Sequence, residues 1–484
     1  MTDSKNKLKD EKQIENFFIS LKKERGLLVS YGFSTDVDAL KEQSDIPIPV
    51  EDEKKKPAPE LPVTFSGVFK SYVSVMEMYR NILPSTATFG PLVSTIAAGN
   101  KIDEFVKSRG IEKPEFSSEK TKIYELKLPC FREFMSYKAA IDSANEAAAH
   151  LPQIMVIGLI SSYDAFLAQM LRVIFNVHPE TILTSEKTIK FSELSKFPSM
   201  EDARKTLIDR EIETIVRMSH HEQFAWMEKA FDIKLKADQQ LWSAFIELCE
   251  RRNLLTHTGG IVSLQYLSNC QAHGIDVEGI RIGEKLQVDG DYLQSSVAVI
   301  YEIGIKLCQT FWRKFVKSEV ELADDHLNEL GYDLIHGYAY STAESLLRFG
   351  TNLKKHANDS SRRRMVVNLA NTIRLQKRED EANKLLDQED WSAIDDQFKI
   401  SVAAVRNNKS EVLSLMRSIG KNSRPSAEAY RTWPVFRGMK EDEDFMLAFE
   451  EVFEEPLISS KTIKVSLPPS ENKILPFEPP TALQ

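Results

Sequence analysis

An arginine, an asparagine and a histidine stand near the end of one predicted helix, and their types suit chemistry on a phosphate. The segment from Glu250 to Gly260, ERRNLLTHTGG, contains Arg252, Asn253 and His257. An arginine stays charged and can hold two phosphate oxygens with its fork of N–H donors. A histidine exchanges a proton near neutral pH, and in the last turn of a helix the dipole favours its protonated form. These residues could therefore bind a phosphate and move a proton beside it.

The chemistry that these residues fit is the cleavage of RNA without a metal. The 2′-hydroxyl of RNA attacks the adjacent phosphate and leaves a 2′,3′-cyclic phosphate and a 5′-hydroxyl. The reaction needs a base, an acid and positive charge on the crowded phosphate. We expect Arg252 to supply the charge, His257 to act as acid or base, and Asn253 to orient the phosphate or the histidine. Arg251 is interpreted as a helper that binds substrate or as a solvated surface charge.

Arg252-Asn253-x3-His257 resembles the motif of HEPN ribonuclease domains, helical RNA-cleaving modules common in toxin and virus-defence systems. The resemblance covers about residues 137–316 and implies an endoribonuclease of the toxin or antiviral (abortive infection) type that cuts an RNA such as tRNA or mRNA. Family members usually pair two domains at one shared cleft, and this chain has a single copy of the motif, so a homodimer is implied. Such an enzyme needs restraint, which implies an activating or inhibitory protein partner.

The same residues permit other interpretations. One is a catalytically inactive HEPN-like bundle that binds RNA or another protein. A second is that Arg251 and Arg252 are ordinary exposed charges and His257 caps the helix. Asp164 has two interpretations. It is a surface carboxylate, solvated or bonded to an N–H group, or it is a substrate-binding residue that steers the active-site arginine across a helix pair. His220-His221-Glu222 lacks the second histidine of a zincin and is interpreted as a polar helix face.

Amphipathic periodicity predicts an all-α protein whose centre is an up-and-down helical bundle. Within a helix over 137–175, apolar residues recur at steps of three and four from Leu159 to Ile174 and form one stripe. Pro152 either begins a new helix or kinks a long one. Gly259 and Gly260 are a natural stop for the helix that carries the motif. The predicted bundle spans 131–320, and its further helices are expected at 207–231, 238–257 and 292–316.

Composition and pattern divide the rest of the chain. Residues 325–455 are predicted to form shorter paired helices, either a tetratricopeptide-like solenoid or a plain helical domain. The other predicted segments are an N-terminal helical segment at 1–44 with Ile14, Phe17, Phe18 and Leu21 on one face, a linker rich in proline and charge at 45–62, a partly helical region at 63–130, and a proline-rich flexible tail at 456–484.

Overall composition limits the partners of the chain. The 484 residues carry a net charge of −9, which argues against a protein that coats nucleic acid, because such binding depends on neutralising phosphates. The N-terminus has no basic segment followed by an apolar one, so we expect a cytoplasmic protein without membrane contact. Cys270-x2-His273 could supply two zinc ligands, but no second pair of ligands stands at a familiar spacing. No metal or other cofactor is therefore predicted.

Overall fold

The computed structural model describes residues 18–24, 27–34, 64–84, 90–114, 123–183 and 191–457. Within these ranges the fold is all-α apart from two short antiparallel strand pairs, so the predicted class is confirmed. The described residues divide into two compact units. One lies within Leu61–Asn407, and the other combines the described residues before Glu60 with those from Asn408 onward. The linker predicted at 45–62 and nearly all of the tail predicted at 456–484 lie outside the described residues.

An N-terminal hairpin corrects one prediction. Strand β1 (Phe18–Glu24) pairs antiparallel with β2 (Leu27–Ser34), although the sequence predicts a helical segment at 1–44. From Val29 to Ser34 apolar residues alternate with small or polar ones, and this period of two fits a strand. The neighbouring strand offers backbone partners to β1, which outweighs the helical spacing of its apolar side chains. The prediction is wrong for the hairpin, and the rest of that segment lies outside the described residues.

The described part of the larger unit consists of helices and a short strand pair. Two helices come first, α1 (Phe65–Pro84) and α2 (Gly90–Arg109). The strands β3 (Ile111–Glu112) and β4 (Tyr124–Glu125) follow. The later helices are α3 (Phe131–Val177), α4 (Glu180–Leu183), α5 (Phe191–Leu194), α6 (Met200–Val216), α7 (His220–Phe231), α8 (Gln239–Thr258), α9 (Leu264–Ala272), α10 (Gly290–Phe315), α11 (Val320–His336), α12 (Tyr340–Thr351), α13 (Asp359–Leu375), α14 (Glu379–Leu386) and α15 (Asp396–Val405).

Helix α3 is central to the bundle. It contains 47 residues and continues through Pro152, so this proline lies inside one long helix. The predicted apolar stripe from Leu159 to Ile174 is buried, and α3 packs against α1, α2, α6, α8 and α10. Tyr72 of α1 approaches α10 closely because Gly304 has no side chain at the point of contact. This packing places α3 beside the helix that carries the motif.

Helix α8 carries the motif and ends where the sequence predicts. Asp238 caps the first turn by accepting a hydrogen bond from the backbone N–H of Leu241 at 3.1 Å. At the other end Gly259 adopts the left-handed conformation, with φ of 63°, and its N–H donates to the carbonyl of Leu254. The predicted glycine stop is confirmed, and it places His257 in the last turn of the helix.

The larger unit continues past the boundary predicted between 131–320 and 325–455. Consecutive helices from α10 to α15 pack on one another, and the division between units falls after Asn407 instead. The buried carboxylate of Asp324 joins the two regions. It accepts hydrogen bonds from Arg313 Nη2 at 2.6 Å and from the backbone N–H of Ala357 at 2.8 Å. The tetratricopeptide-like arrangement stays a prediction.

Replacement of Asp324 by alanine should destabilise the larger unit. The change leaves Arg313 and His356 without their carboxylate partner in a buried site, which costs about 3–5 kcal/mol. Asp325 is a matched control, because its carboxylate is 38% exposed and pairs with Arg364 at 2.8 Å. Its replacement by alanine should cost less than about 1 kcal/mol. Thermal unfolding compares the two variants, and equal losses of stability would contradict this role for Asp324.

The ionised form of Asp324 also gives this stability a pH dependence. Burial opposes ionisation, but hydrogen bonds from His356, the Ala357 N–H and Arg313 hold the pKa of Asp324 below its usual value. The stabilisation is therefore complete above the ordinary pKa of an aspartate and is lost as the pH falls through the lowered pKa.

The smaller unit contains the strand hairpin and three further described α-helices, α16 (Lys409–Ile419), α17 (Ala427–Thr432) and α18 (Glu443–Phe453). Helix α16 packs on α18. At its start, Lys409 Nζ lies 2.7 Å from a carboxylate oxygen of Asp442 and 2.6 Å from one of Asp444. These ion pairs join the first turn of α16 to the start of α18.

Among the described helices, α3 is the one that is long and apolar enough to cross a membrane. Half of its most apolar window is buried inside the protein. A core helix of a soluble protein meets the same criteria of length and composition, so this feature is weak support for a membrane span.

Candidate functional site

Helices α3, α7 and α8 line a polar cavity at the predicted motif. The cavity has a volume of about 380 Å³. Arg252 and Asn253 of α8, Asp164 of α3, and His220 and His221 of α7 contribute polar side chains to its wall. The bundle therefore brings charged, amide and imidazole groups from distant parts of the sequence to one place.

Asp164 joins two of these side chains. Its Oδ1 atom lies 3.1 Å from His220 Nε2, and its Oδ2 atom lies 3.6 Å from Arg252 Nη2. The Asp164 side chain is 24% exposed. The contact with His220 fits the interpretation of Asp164 as an N–H-bonded carboxylate, and the side chain is only partly solvated. The alternative, in which Asp164 steers the arginine across a helix pair, fits the geometry.

Arg252 is held by charge and not by hydrogen bonds. Its contact with Asp164 is longer than a hydrogen bond, and its guanidinium has no other polar partner in the part of the chain that the structure describes. The Nε atom is buried without a hydrogen-bond partner. An unpaired buried donor costs about 1–3 kcal/mol. A guanidinium in this state is suited to a ligand that accepts hydrogen bonds from it.

Arg251 differs from Arg252 in every contact. Its Nε donates to Glu247 Oε1 at 2.7 Å, its Nη1 donates to the Gln287 carbonyl at 3.0 Å, and its guanidinium lies 4.2 Å from the centre of the Tyr292 ring. Burial opposes the charge, but Glu247 and the nearby tyrosine hydroxyls raise the pKa of Arg251. The side chain is 14% exposed and lies outside the cavity wall. The interpretation of Arg251 as a solvated charge is wrong, because its guanidinium is packed and donates to Glu247 and to the Gln287 carbonyl. Its role as a substrate-binding helper stays a prediction, and the residue lies outside the cavity wall.

His220 is the residue that sequence reasoning missed. The sequence predicts that His220 belongs to a polar helix face. In the structure its side chain is only 7% exposed, and its ring lies 6.0 Å from the Tyr163 ring and 5.6 Å, edge-on, from the Phe245 ring. It is the first residue of α7, where the Ser219 N–H donates to the Glu222 carboxylate at 3.0 Å. Serine followed three residues later by glutamate is a signature of a helix start. The sequence thus contains the signal for the helix but not for the inward direction of the side chain.

His257 lies outside the cavity wall. It is exposed in the last turn of α8, and its imidazole makes no hydrogen bond to any residue of the described ranges. Asn253, one turn earlier on the same side of the helix, does line the cavity. The structure therefore brings Arg252 and Asn253 together with Asp164 and leaves His257 at the nearby helix end.

Cys249 is a non-reactive part of the cavity wall. Burial raises the pKa of its thiol well above the usual value, although the charge of Arg252 opposes the shift. A thiol that stays protonated is a poor nucleophile. The reactive groups of the cavity wall are therefore its guanidinium groups, carboxylates and imidazoles.

The candidate zinc ligands do not form part of a larger cluster. Cys270 is buried in a small core with Leu254, Val262 and Tyr266. His273 faces His221 instead, with ring centroids 5.2 Å apart, and burial together with His221 lowers the pKa of His273. Across the described ranges no three His, Cys, Asp or Glu side chains come together as metal ligands would.

Comparison with protein-family models, with curated proteins and with solved structures gives no match for this chain. The assignment of chemistry to the cavity therefore depends on its own residues.

Proposed function

We propose that this chain is a metal-independent endoribonuclease whose cavity binds the phosphate to be cleaved. The observation that carries the proposal is the state of Arg252, which is charged, unpaired by hydrogen bonds and set in a polar cavity beside Asn253. A phosphate accepts two parallel hydrogen bonds from a guanidinium. Binding at one local site is also compatible with the net charge of −9.

The proposed reaction is attack of the 2′-hydroxyl on the phosphate held by Arg252. The guanidinium stabilises the charge that develops on the phosphate oxygens, and His257 transfers a proton. Because His257 lies outside the cavity of its own chain, the proposal includes a homodimer in which each His257 reaches the cavity of the other copy.

The resemblance to HEPN domains extends the proposal to a cellular role. An enzyme that cuts tRNA or mRNA in the cytoplasm would act as a toxin or in antiviral defence by abortive infection, under the control of an activating or inhibitory protein. Expression of the wild-type chain should then arrest growth, and expression of the Arg252→Ala variant should not.

A second candidate function is supported by the exposure of His257. A bundle with a phosphate-binding arginine whose motif histidine lies outside the same cavity would bind RNA without cutting it. This catalytically inactive HEPN-like module differs from the enzyme in one measurable respect, because it binds RNA through Arg252 and gives no products.

The test is incubation of the purified chain with total cellular RNA or tRNA in EDTA. We expect fragments with 5′-hydroxyl ends, which polynucleotide kinase labels without prior phosphatase treatment. Cleavage should be lost in the Arg252→Ala and His257→Ala variants, while His257→Ala still binds RNA. A requirement for a divalent metal would contradict the proposal. Binding without cleavage by the wild type, with and without candidate triggers, would support the inactive module instead.

A further inference from the structure

The proposed cleavage needs two proton transfers, and His257 accounts for only one of them. A base must take a proton from the 2′-hydroxyl, and an acid must give one to the leaving 5′-oxygen. We propose that His220, positioned by Asp164, is the general base of the cavity. This inference rests on the proposed ribonuclease activity and assigns a role to a residue outside the arginine–histidine motif.

The hydrogen bond to Asp164 determines which nitrogen of His220 can accept a proton. A carboxylate oxygen only accepts hydrogen bonds, so the Nε2 atom, 3.1 Å from Asp164 Oδ1, must carry a hydrogen. In the neutral imidazole the Nδ1 atom is then the acceptor. No described residue donates a hydrogen bond to Nδ1. The accepting nitrogen is therefore available to a substrate hydroxyl.

Packing holds the His220 ring in this orientation. The side chain is 7% exposed and is flanked by Tyr163 and Phe245. A base that is oriented before substrate binds avoids much of the entropic cost of reaching the reactive geometry. His221 is held differently, since its Nδ1 atom lies 3.0 Å from Ser219 Oγ and its ring faces His273. Of the two histidines in the cavity wall, His220 has the carboxylate partner.

Asp164 also connects the base to the group that binds phosphate. One carboxylate oxygen faces His220 and the other faces Arg252 at 3.6 Å. A phosphate that binds Arg252 replaces this long contact with shorter hydrogen bonds. The carboxylate then balances the positive charge that forms on His220 as it accepts a proton. Asp164 is thus a positioning residue for both groups.

The proposed reaction makes one bond to phosphorus and breaks another, with one proton transfer at each oxygen. The proton of the 2′-hydroxyl passes to His220 Nδ1 while the 2′-oxygen forms a bond to phosphorus. The bond between phosphorus and the 5′-oxygen breaks, and that oxygen receives a proton from the partner's His257. The products are the 2′,3′-cyclic phosphate and the 5′-hydroxyl. The His220 imidazolium then gives its proton to water, and the partner's His257 takes one from water. One chain supplies the phosphate-binding group and the base, and the other chain supplies the acid.

The first test compares His220→Gln, Asp164→Asn and His221→Gln in the full chain. Single-turnover cleavage of RNA in EDTA should fall by about 100-fold or more in His220→Gln. Binding of fully 2′-O-methylated RNA, which cannot be cleaved, should stay within threefold of wild type. Asp164→Asn should slow cleavage less than His220→Gln does. It should also alter the acidic limb of the pH–rate profile, which a purely structural change would leave in place. His221→Gln should cleave RNA faster than both of these variants.

A second test uses His220→Ala and a series of imidazoles added to the reaction. If His220 transfers a proton, the rescued rate should rise with the basicity of the added imidazole. Equal rescue by imidazoles of different basicity would show that the ring only fills space, and it would overturn the assignment. Thermal unfolding of every variant identifies any that fails to fold, and the comparison with Asp164→Asn then decides the assignment.

Different results would contradict the proposed ribonuclease activity and the assignment of His220 as its base. If wild-type protein leaves RNA intact, the proposed ribonuclease activity is wrong and so is the role of His220 in it. If the wild type cleaves and His220→Gln cleaves within threefold of it, only the assignment of the base is overturned. A loss that follows reduced binding of the 2′-O-methylated RNA would also overturn it.

Discussion

The Arg252→Ala variant is expected to cleave RNA about 100- to 1000-fold more slowly than the wild type, because it lacks the group that stabilises charge on the phosphate. Its folding stability should not fall. The guanidinium makes no hydrogen bond to the described residues, and its Nε atom is buried without a partner. An unsatisfied buried donor costs free energy, so its removal offsets the loss of the long contact with Asp164. Single-turnover cleavage and thermal unfolding of the same preparation measure both effects.

Two further arginine variants serve as controls for this prediction. Arg251→Ala should lose stability instead, because it leaves the Glu247 carboxylate without its cation in a mostly buried cluster. Arg172→Ala should change neither property by much, since this arginine is 40% exposed and pairs with Asp209 on the surface. Full cleavage by Arg252→Ala would remove the basis of the proposed site. Loss of stability in Arg252→Ala would make the residue structural.

The contrast between Arg251 and Arg252 shows what the sequence could and could not predict. Helical periodicity and the glycine pair predict α8 and its end, because both depend on neighbouring residues. The two arginines are adjacent and point about 100° apart around the helix. Glu247 lies one turn before Arg251 on the same helix, but only the fold brings Tyr292 to Arg251 and Asp164 to Arg252.

Contacts between distant segments also explain why the local sequence does not predict the other polar residues of the cavity. His220 and Asp164 are 56 residues apart, and the local sequence around each indicates a helix but not their contact. Strand β1 has helical spacing, and its partner β2 decides its conformation. The boundary near residue 320 was predicted from a change in helix length, whereas packing between successive helices continues to Asn407. In each case a contact between segments outweighs the local pattern.

Mixing two inactive variants should restore cleavage if His257 acts across a dimer. The His257→Ala chain keeps its cavity, with Arg252, Asp164 and His220, and the Arg252→Ala chain keeps its His257. Each alone should be at least about 100-fold slower than wild type. After co-expression at equal levels, half of the dimers are mixed and each mixed dimer contains one complete site of two. Activity should therefore recover to about a quarter of wild type, given random pairing in a symmetric dimer.

The control for this recovery is the double variant Arg252→Ala/His257→Ala paired with His257→Ala. That pair contains intact cavities but no His257, so it should stay at the background rate. If the first mixture also stays at background while its chains form dimers, His257 does not act from the partner chain. Because His257 is exposed at the end of α8, outside the cavity of its own chain, another residue would then have to give the proton to the leaving oxygen. The position of His257 thus makes the oligomeric state a direct test of catalysis.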